Sequence, residues 1–325
     1  MGRRLPAAFA ALLLLGALPA VAVPAIAANP DTARHDAVVA HWTAERLASA
    51  KPRDIRLEAG RAAGPKAKPG GGGGNVTGAS WTKGGAIFHA SGKVYFEMAG
   101  SAWVCSGTAA TDSRSGYSLV LTAGHCAYDE DNGAFATNWL FIPEFDSAPT
   151  FTCASTKWGC WTAQALVVHD GFASAGSFNT QATTHDFAFA VVGGGGKSGT
   201  AQLDATVGSL PIAFSGVSSG SVLDAFGYPA AGKYHGNDLT YCQGPVSPDS
   251  LNQSLTWGMS CDMTGGSSGG PWLSGFDAAT GSGTLSSLNS YGYSGIRSMY
   301  GPKFNTDTSA VFNAADGATS NTIVR

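Results

Sequence analysis

Charge is scarce in this chain. Of its 325 residues only 13% are Asp, Glu, Lys or Arg, and from residue 76 onward nine basic residues face 17 acidic ones, a formal balance of −8. A charge-poor, net-acidic body carries no electrostatic footprint for nucleic acid or an anionic membrane. Long apolar runs are missing too: beyond residue 27 no segment is long and apolar enough to span a bilayer. There is no C-x-x-C pair, which argues against a zinc site. The stretch Asp129-Glu130-Asp131-Asn132 lacks EF-hand spacing and reads as a solvated acidic loop, so no metal is expected. Helical periodicity is nearly absent between residue 76 and the segment DTSAVFNAA, and no close internal repeat is visible.

What is present falls into three parts. Residues 1–27 carry Arg3 and Arg4, then the apolar stretch AAFAALLLLGALPAVAV, and end in Ala25-Ile26-Ala27. Basic start, short apolar run and small-residue cleavage pattern are the marks of a secretory signal peptide, cut after Ala27 or, alternatively, after Ala22. Residues 28–75 read as a propeptide with a glycine-rich linker. DTARHDAVVAHWTAERLASAKP suggests a short amphipathic helix capped by Asp31 or Thr32 and ended by Pro52, and RAAGPKAKPGGGGGN cannot pack a core. Export agrees with the six cysteines, all between Cys105 and Cys261, which suit an oxidising compartment. The protein is expected to be secreted and monomeric.

From residue 76 to 325 short runs such as GKVYFEM, YSLVLTA, DFAFAVV and SVLDAFGY alternate with Gly, Ser, Asn and Asp clusters. This texture predicts an all-β barrel or sandwich protein. Gly193–Gly196 interrupt it about midway and suggest a boundary between halves at about 76–196 and 197–315. The polar tail after Gly317 is expected to fray. Asn75-Val-Thr and Asn252-Gln-Ser fit the glycosylation pattern.

Two segments carry chemistry. In Gly265-Gly266-Ser267-Ser268-Gly269-Gly270-Pro271 the glycines let a serine hydroxyl sit exposed on a tight turn with backbone N–H groups aimed at a developing oxyanion. In Ser118-Leu-Val-Leu-Thr-Ala-Gly-His125-Cys126 a strand end presents one histidine, with a cysteine placed to staple it. LTAGHC and GxSGGP, in this order, are the two signatures of trypsin/chymotrypsin-like serine peptidases, and the chain resembles that family over roughly residues 80–315. HWTAERLASAKP also looks like the pro-segment of secreted bacterial precursors in that family.

The resemblance implies two six-stranded antiparallel β-barrels with a short C-terminal helix, and a Ser-His-Asp triad hydrolysing protein or peptide substrates through an acyl-enzyme, with no cofactor. The family's aspartate starts an apolar strand between the two motifs. Of the pairs His169-Asp170 and His185-Asp186, only the second precedes an alternating strand, so the triad is His125, Asp186 and Ser268. The N–H groups of Gly266 and Ser268 would form the oxyanion hole. The order His, Asp, Ser argues against an α/β-hydrolase esterase, and an inactive binding relative would need a damaged triad. Cys105–Cys126 matches the family's bridge beside the histidine, Cys153–Cys160 would close a short loop, and Cys242–Cys261 would tie the second half together. Ser267 stands where many animal members carry an activating aspartate, and no Ile-Val-Gly-Gly start occurs near residues 76–90, so propeptide removal is expected to unblock the cleft or to aid folding. Asp262, six residues before Ser268, lies where trypsin-like members bind Lys or Arg, but glutamyl endopeptidases show a similar acidic stretch, leaving a basic or acidic preference before the cut open. Ser290-Tyr291-Gly292 resembles the family's substrate-pairing strand. Asn289 stands where glutamyl members use a histidine.

Overall fold

The structure, a computed structural model, describes residues 1–2, 30–59, 75–145 and 152–325. The leader beyond residue 2 and the linker 60–74 lie outside the described residues.

The first half is a closed barrel. Strands Ser101–Ala110, Ser91–Met98, Thr137–Pro143, Trp161–His169, Ala188–Val192 and Ser118–Thr122 pair in that order, all antiparallel, and the last returns to the first. Closure explains why Ala-Phe-Ala-Val-Val reads as an unbroken apolar run. One face fills the barrel and the other is covered by the helix Thr306–Gly317, whose Phe312 meets Phe189 edge-on at 5.3 Å. Asn305 caps that helix through a capping box. The tail does not fray: Thr322–Val324 pairs in parallel with Trp161–His169, and Asn321 Oδ1 accepts the Leu166 N–H at 2.9 Å.

The second half differs from the expected closed six-stranded barrel. Ser282–Leu288, Pro271–Asp277, Val222–Gly227, Thr240–Pro245 and Val76–Ser80 form a five-stranded sheet, and Ser247–Pro248, Thr256–Ser260 and Ser298–Pro302 a separate three-stranded one. Val76–Ser80, placed with the first half by the sequence reading, therefore belongs to the second. Where the sheets meet, Ser287 Oγ donates to the Pro302 carbonyl at 2.7 Å in place of a ladder, and the Cys242–Cys261 disulfide joins one sheet to the other. Cys105–Cys126 and Cys153–Cys160 are the other two disulfides, the pairings the resemblance implied.

The N-terminal segment is ordered into two helices rather than one. Pro30–His41 and Ala44–Ser49 are separated where Thr43 Oγ1 accepts the Arg46 N–H and caps the second. The first packs on Thr137–Pro143 and Trp161–His169. Trp42 and Leu47 are buried, and Trp42 Nε1 donates to the Asn138 carbonyl at 2.6 Å. Pro52 lies in a short strand, Lys51–Pro52, that follows the helices.

Candidate active site

His125 and Asp186 meet because their strands are neighbours. Ala188 of the strand Ala188–Val192 pairs with Thr122 of Ser118–Thr122. Asp186, just before one strand, and His125, in the turn Gly124–Cys126 just after the other, thus emerge at the same barrel end. His125 Nδ1 lies 2.8 Å from Asp186 Oδ2, and the His125 N–H donates to Asp186 Oδ1 at 2.8 Å. Ser290 Oγ donates to Asp186 Oδ2 at 2.5 Å from the second half. Three donors thus surround a wholly buried carboxylate. Asp170 opens a short helix elsewhere and takes no part. The ring of its neighbour His169 instead stacks on His185, 4.5 Å apart.

Ser268 comes from the second half and is docked against the first, its carbonyl accepting the Ser106 N–H at 2.7 Å. The loop needs its glycines. Gly266 has φ +95° and Gly269 φ +81°, and a Cβ at Gly269 would lie 2.4 Å from the Ser106 carbonyl. The Gly266 and Ser268 N–H groups donate to no acceptor among the described residues. Asn289 lies beneath this loop. Its Nδ2 donates to the Phe226 and Ser267 carbonyls and its Oδ1 accepts from Trp272 Nε1, so its side chain is spent on the scaffold.

The Ser268 hydroxyl does not bond to His125. It donates to the main-chain carbonyl of Arg53 at 3.1 Å, and His125 Nε2 is buried with no hydrogen-bond partner among the described residues. Residues 51–59 run through the cleft, and Gly292 N donates to the Ile55 carbonyl at 3.0 Å. The three residues read as a substrate-pairing strand thus do three things: Ser290 holds Asp186, Gly292 pairs with an extended segment, and Tyr291 builds the wall. The Tyr291 ring stacks on Tyr300, and its hydroxyl donates to Asp249 Oδ2 at 2.7 Å, as does that of Tyr293 at 2.8 Å. Burial pushes the phenols of Tyr291 and Tyr293 far up, with the Asp249 carboxylate adding to it.

Asp262 is not brought to this group. Its carboxylate binds Lys233 Nζ at 2.8 Å and accepts from the Tyr234 hydroxyl, against Gly78 of Val76–Ser80. The stretch read as a solvated acidic loop is exposed at Asp131 and Asn132 but not at its first two residues. Asp129 and Glu130 are each 4% exposed, held in by the Tyr128–Asp129 and Ala134–Phe135 hairpin. Burial raises the Glu130 carboxyl, with Asp186 adding to the rise and His125 and Arg53 opposing it. Sequence reasoning read Glu130 as solvated and missed Asp249, since a lone acid carries no periodic signal. Asn252, read as a glycosylation acceptor, is buried and donates to Thr183 Oγ1 and the Tyr291 hydroxyl.

No protein-family model and no curated protein matches the chain. Solved structures do. The protease Anisep from Arthrobacter nicotinovorans is 36% identical, with all of its length and 74% of this chain covered, at a TM-score of 0.63. A thermostable serine protease, AL20, from an extremophilic microorganism is also 36% identical, with 98% of its length and 71% of this chain covered, at 0.61. A Glu endopeptidase at 19% identity and a TM-score of 0.54 shares the fold. Identity of this degree over an entire relative places the chain in the chymotrypsin-like family of serine endopeptidases.

Proposed function

We propose that the protein is the secreted precursor of a serine endopeptidase that cuts peptide bonds through His125, Asp186 and Ser268. The observation that carries this is the buried pair His125 Nδ1–Asp186 Oδ2, which leaves Nε2 unpartnered among the described residues, with Ser268 on a glycine loop and its carbonyl 3.9 Å from Sγ of the adjoining Cys126. Once the cleft is open, Ser268 attacks the substrate carbonyl while His125 Nε2 takes its proton. The Gly266 and Ser268 N–H groups hold the oxyanion, and His125 returns the proton to the leaving amine. Asp186 keeps Nδ1 as the donor and stabilises the imidazolium. Water then repeats the sequence on the acyl-enzyme. The chemistry needs neither metal nor organic cofactor.

The leader and three disulfides support secretion, and residues 28–75 serve as the propeptide. A preference for Lys or Arg before the cut finds no support at Asp262, whose charge is neutralised by Lys233. A glutamate preference finds none at Asn289, whose amide is spent on the scaffold. Fluorophosphonate labelling of the chain after removal of residues 28–75 tests the reading. Label on Ser268, lost in Ser268→Ala, is the expected result. An unlabelled chain that also leaves a random peptide library uncut, as read by mass spectrometry, overturns it.

A further inference from the structure

We infer that residues 51–59 are a built-in peptide inhibitor that lies in the cleft backwards, a proposal that rests on the peptidase reading above. The segment is extended, with Arg53, Ile55, Leu57 and Ala59 half-buried and Asp54, Arg56 and Glu58 exposed, the period-two pattern of a strand. It is held at both ends. Lys51 and Pro52 pair in parallel with Trp103 and Val104, and the Arg53 N–H donates to the Val104 carbonyl at 3.0 Å. Arg56 and Leu57 pair in parallel with Gly292 and Tyr293, where Gly292 N and Ser294 N donate to the Ile55 and Leu57 carbonyls, each at 3.0 Å. Between these anchors the Arg53 carbonyl takes the Ser268 hydroxyl.

The direction of the chain decides what this does. His125 must protonate the leaving amine, so the leaving half of a substrate lies toward the histidine turn. That is the side of the strand Ser101–Ala110, which the Cys105–Cys126 disulfide joins to the turn. The acyl half then lies along Ser290–Gly292. A substrate therefore runs from Gly292 toward Trp103, whereas residues 51–59 run from Trp103 toward Gly292. In this orientation the nitrogen of the Arg53–Asp54 bond leads to the acyl side. Asp54 packs on Gly265, where a Cβ would lie 2.5 Å from its own Cβ. His125 cannot reach that nitrogen to expel it, so an attack on Arg53 would only collapse back. With the serine proton on the Arg53 carbonyl, the serine–histidine bond is also unmade.

The side chains add grip. Ile55, Leu57 and Ala59 pack on the cluster of Tyr291, Tyr293 and Tyr300, and the Arg53 guanidinium lies over Trp103, 5.1 Å from the ring centre. Tethering through the helices Pro30–His41 and Ala44–Ser49 keeps the local concentration high, so weak pairing suffices until the segment is cut free.

The experiment uses the full precursor with a cleavage site for an unrelated protease inserted between residues 60 and 74. Uncut precursor is expected to react with fluorophosphonate at least ~10²-fold more slowly than the cut chain washed free of its pro-segment. Ile55→Asp/Leu57→Asp should close most of that gap without any cut. Should that variant fail to fold, a synthetic peptide of residues 50–59 added to the cut chain gives a second measure. It should slow hydrolysis of a reporter peptide competitively and be recovered whole. Equal labelling before and after the cut, or scission of the peptide between Arg53 and Asp54, overturns the inference while leaving the peptidase intact. A cut chain that never labels sinks the peptidase reading itself.

Discussion

The two halves of the molecule contribute to the cleft in different ways. The first half is a closed barrel, and the register of two adjacent strands fixes the imidazole and its carboxylate. The second is two open sheets joined by side chains and a disulfide, and it presents Ser268 on a glycine turn beside a short strand, Gly292–Tyr293, that pairs with Arg56 and Leu57. Closure leaves only the strand ends to take further pairing, as Trp103–Val104 do with Lys51–Pro52, which suits a residue pair that must not move. An open edge is what a peptide needs in order to bind. On the proposed reading, the His125–Asp186 pair is already assembled while the Ser268 hydroxyl is held off by the Arg53 carbonyl.

The comparison breaks most visibly at the carboxylate. Asp186→Asn should leave the fold intact but lower kcat of the cut enzyme by about 10⁴, because the amide favours the wrong imidazole tautomer. Steady-state kinetics on any cleaved peptide would show it, and a loss under tenfold would mean the first half does not set the base. A smaller effect is expected from the second half. Gly269→Ala forces a side chain into φ +81° and onto the Ser106 carbonyl, so the turn must shift. Turnover should fall by about 10²–10³, the loss typical when an oxyanion donor is displaced. Unchanged turnover would show that the loop tolerates movement.

The smallest effect sharpens the contrast in how each half buries an acid. Asp186 has three donors, but Asp224, on Val222–Gly227, has among the described residues only Gln243 Nε2 at 2.8 Å and is 4% exposed. Burial pushes its carboxyl up to about 6. A raised acid favours the native state fully below its unfolded value, and the advantage drains away as pH rises through about 6. Asp224→Asn, which keeps the acceptor oxygen, should raise Tm by about 4 °C at pH 8. At pH 4 it should change little. Equal shifts in thermal melts at the two pH values would contradict this.

Much of the site was legible in the sequence because its parts are local. A histidine after an alternating strand, an acid before one, and a serine among glycines each announce themselves within a few residues. The β texture of the first half was legible for the same reason, while its closure into a barrel came only with the family resemblance. What escaped was non-local. The pairing of Val76–Ser80 with Thr240–Pro245 spans the chain, and nothing near Val76 records it. Asp262 sits at the spacing of a specificity acid, yet Lys233 and Tyr234, brought in from another loop, claim its charge. The alternation of Ile55, Leu57 and Ala59 with Asp54, Arg56 and Glu58 was a readable signal, hidden because it lies between a helix pattern and a glycine run.

The helix Thr306–Gly317 and the strand Thr322–Val324 cross back to cover the first barrel after the second half has been laid down. An emerging polypeptide that has passed residue 200 holds every strand of that barrel but not its outer layer, so Phe189 and its neighbours stay bare until the C-terminal segments arrive. The half that carries His125 and Asp186 is begun first and finished last, which ties its completion to synthesis of the whole chain.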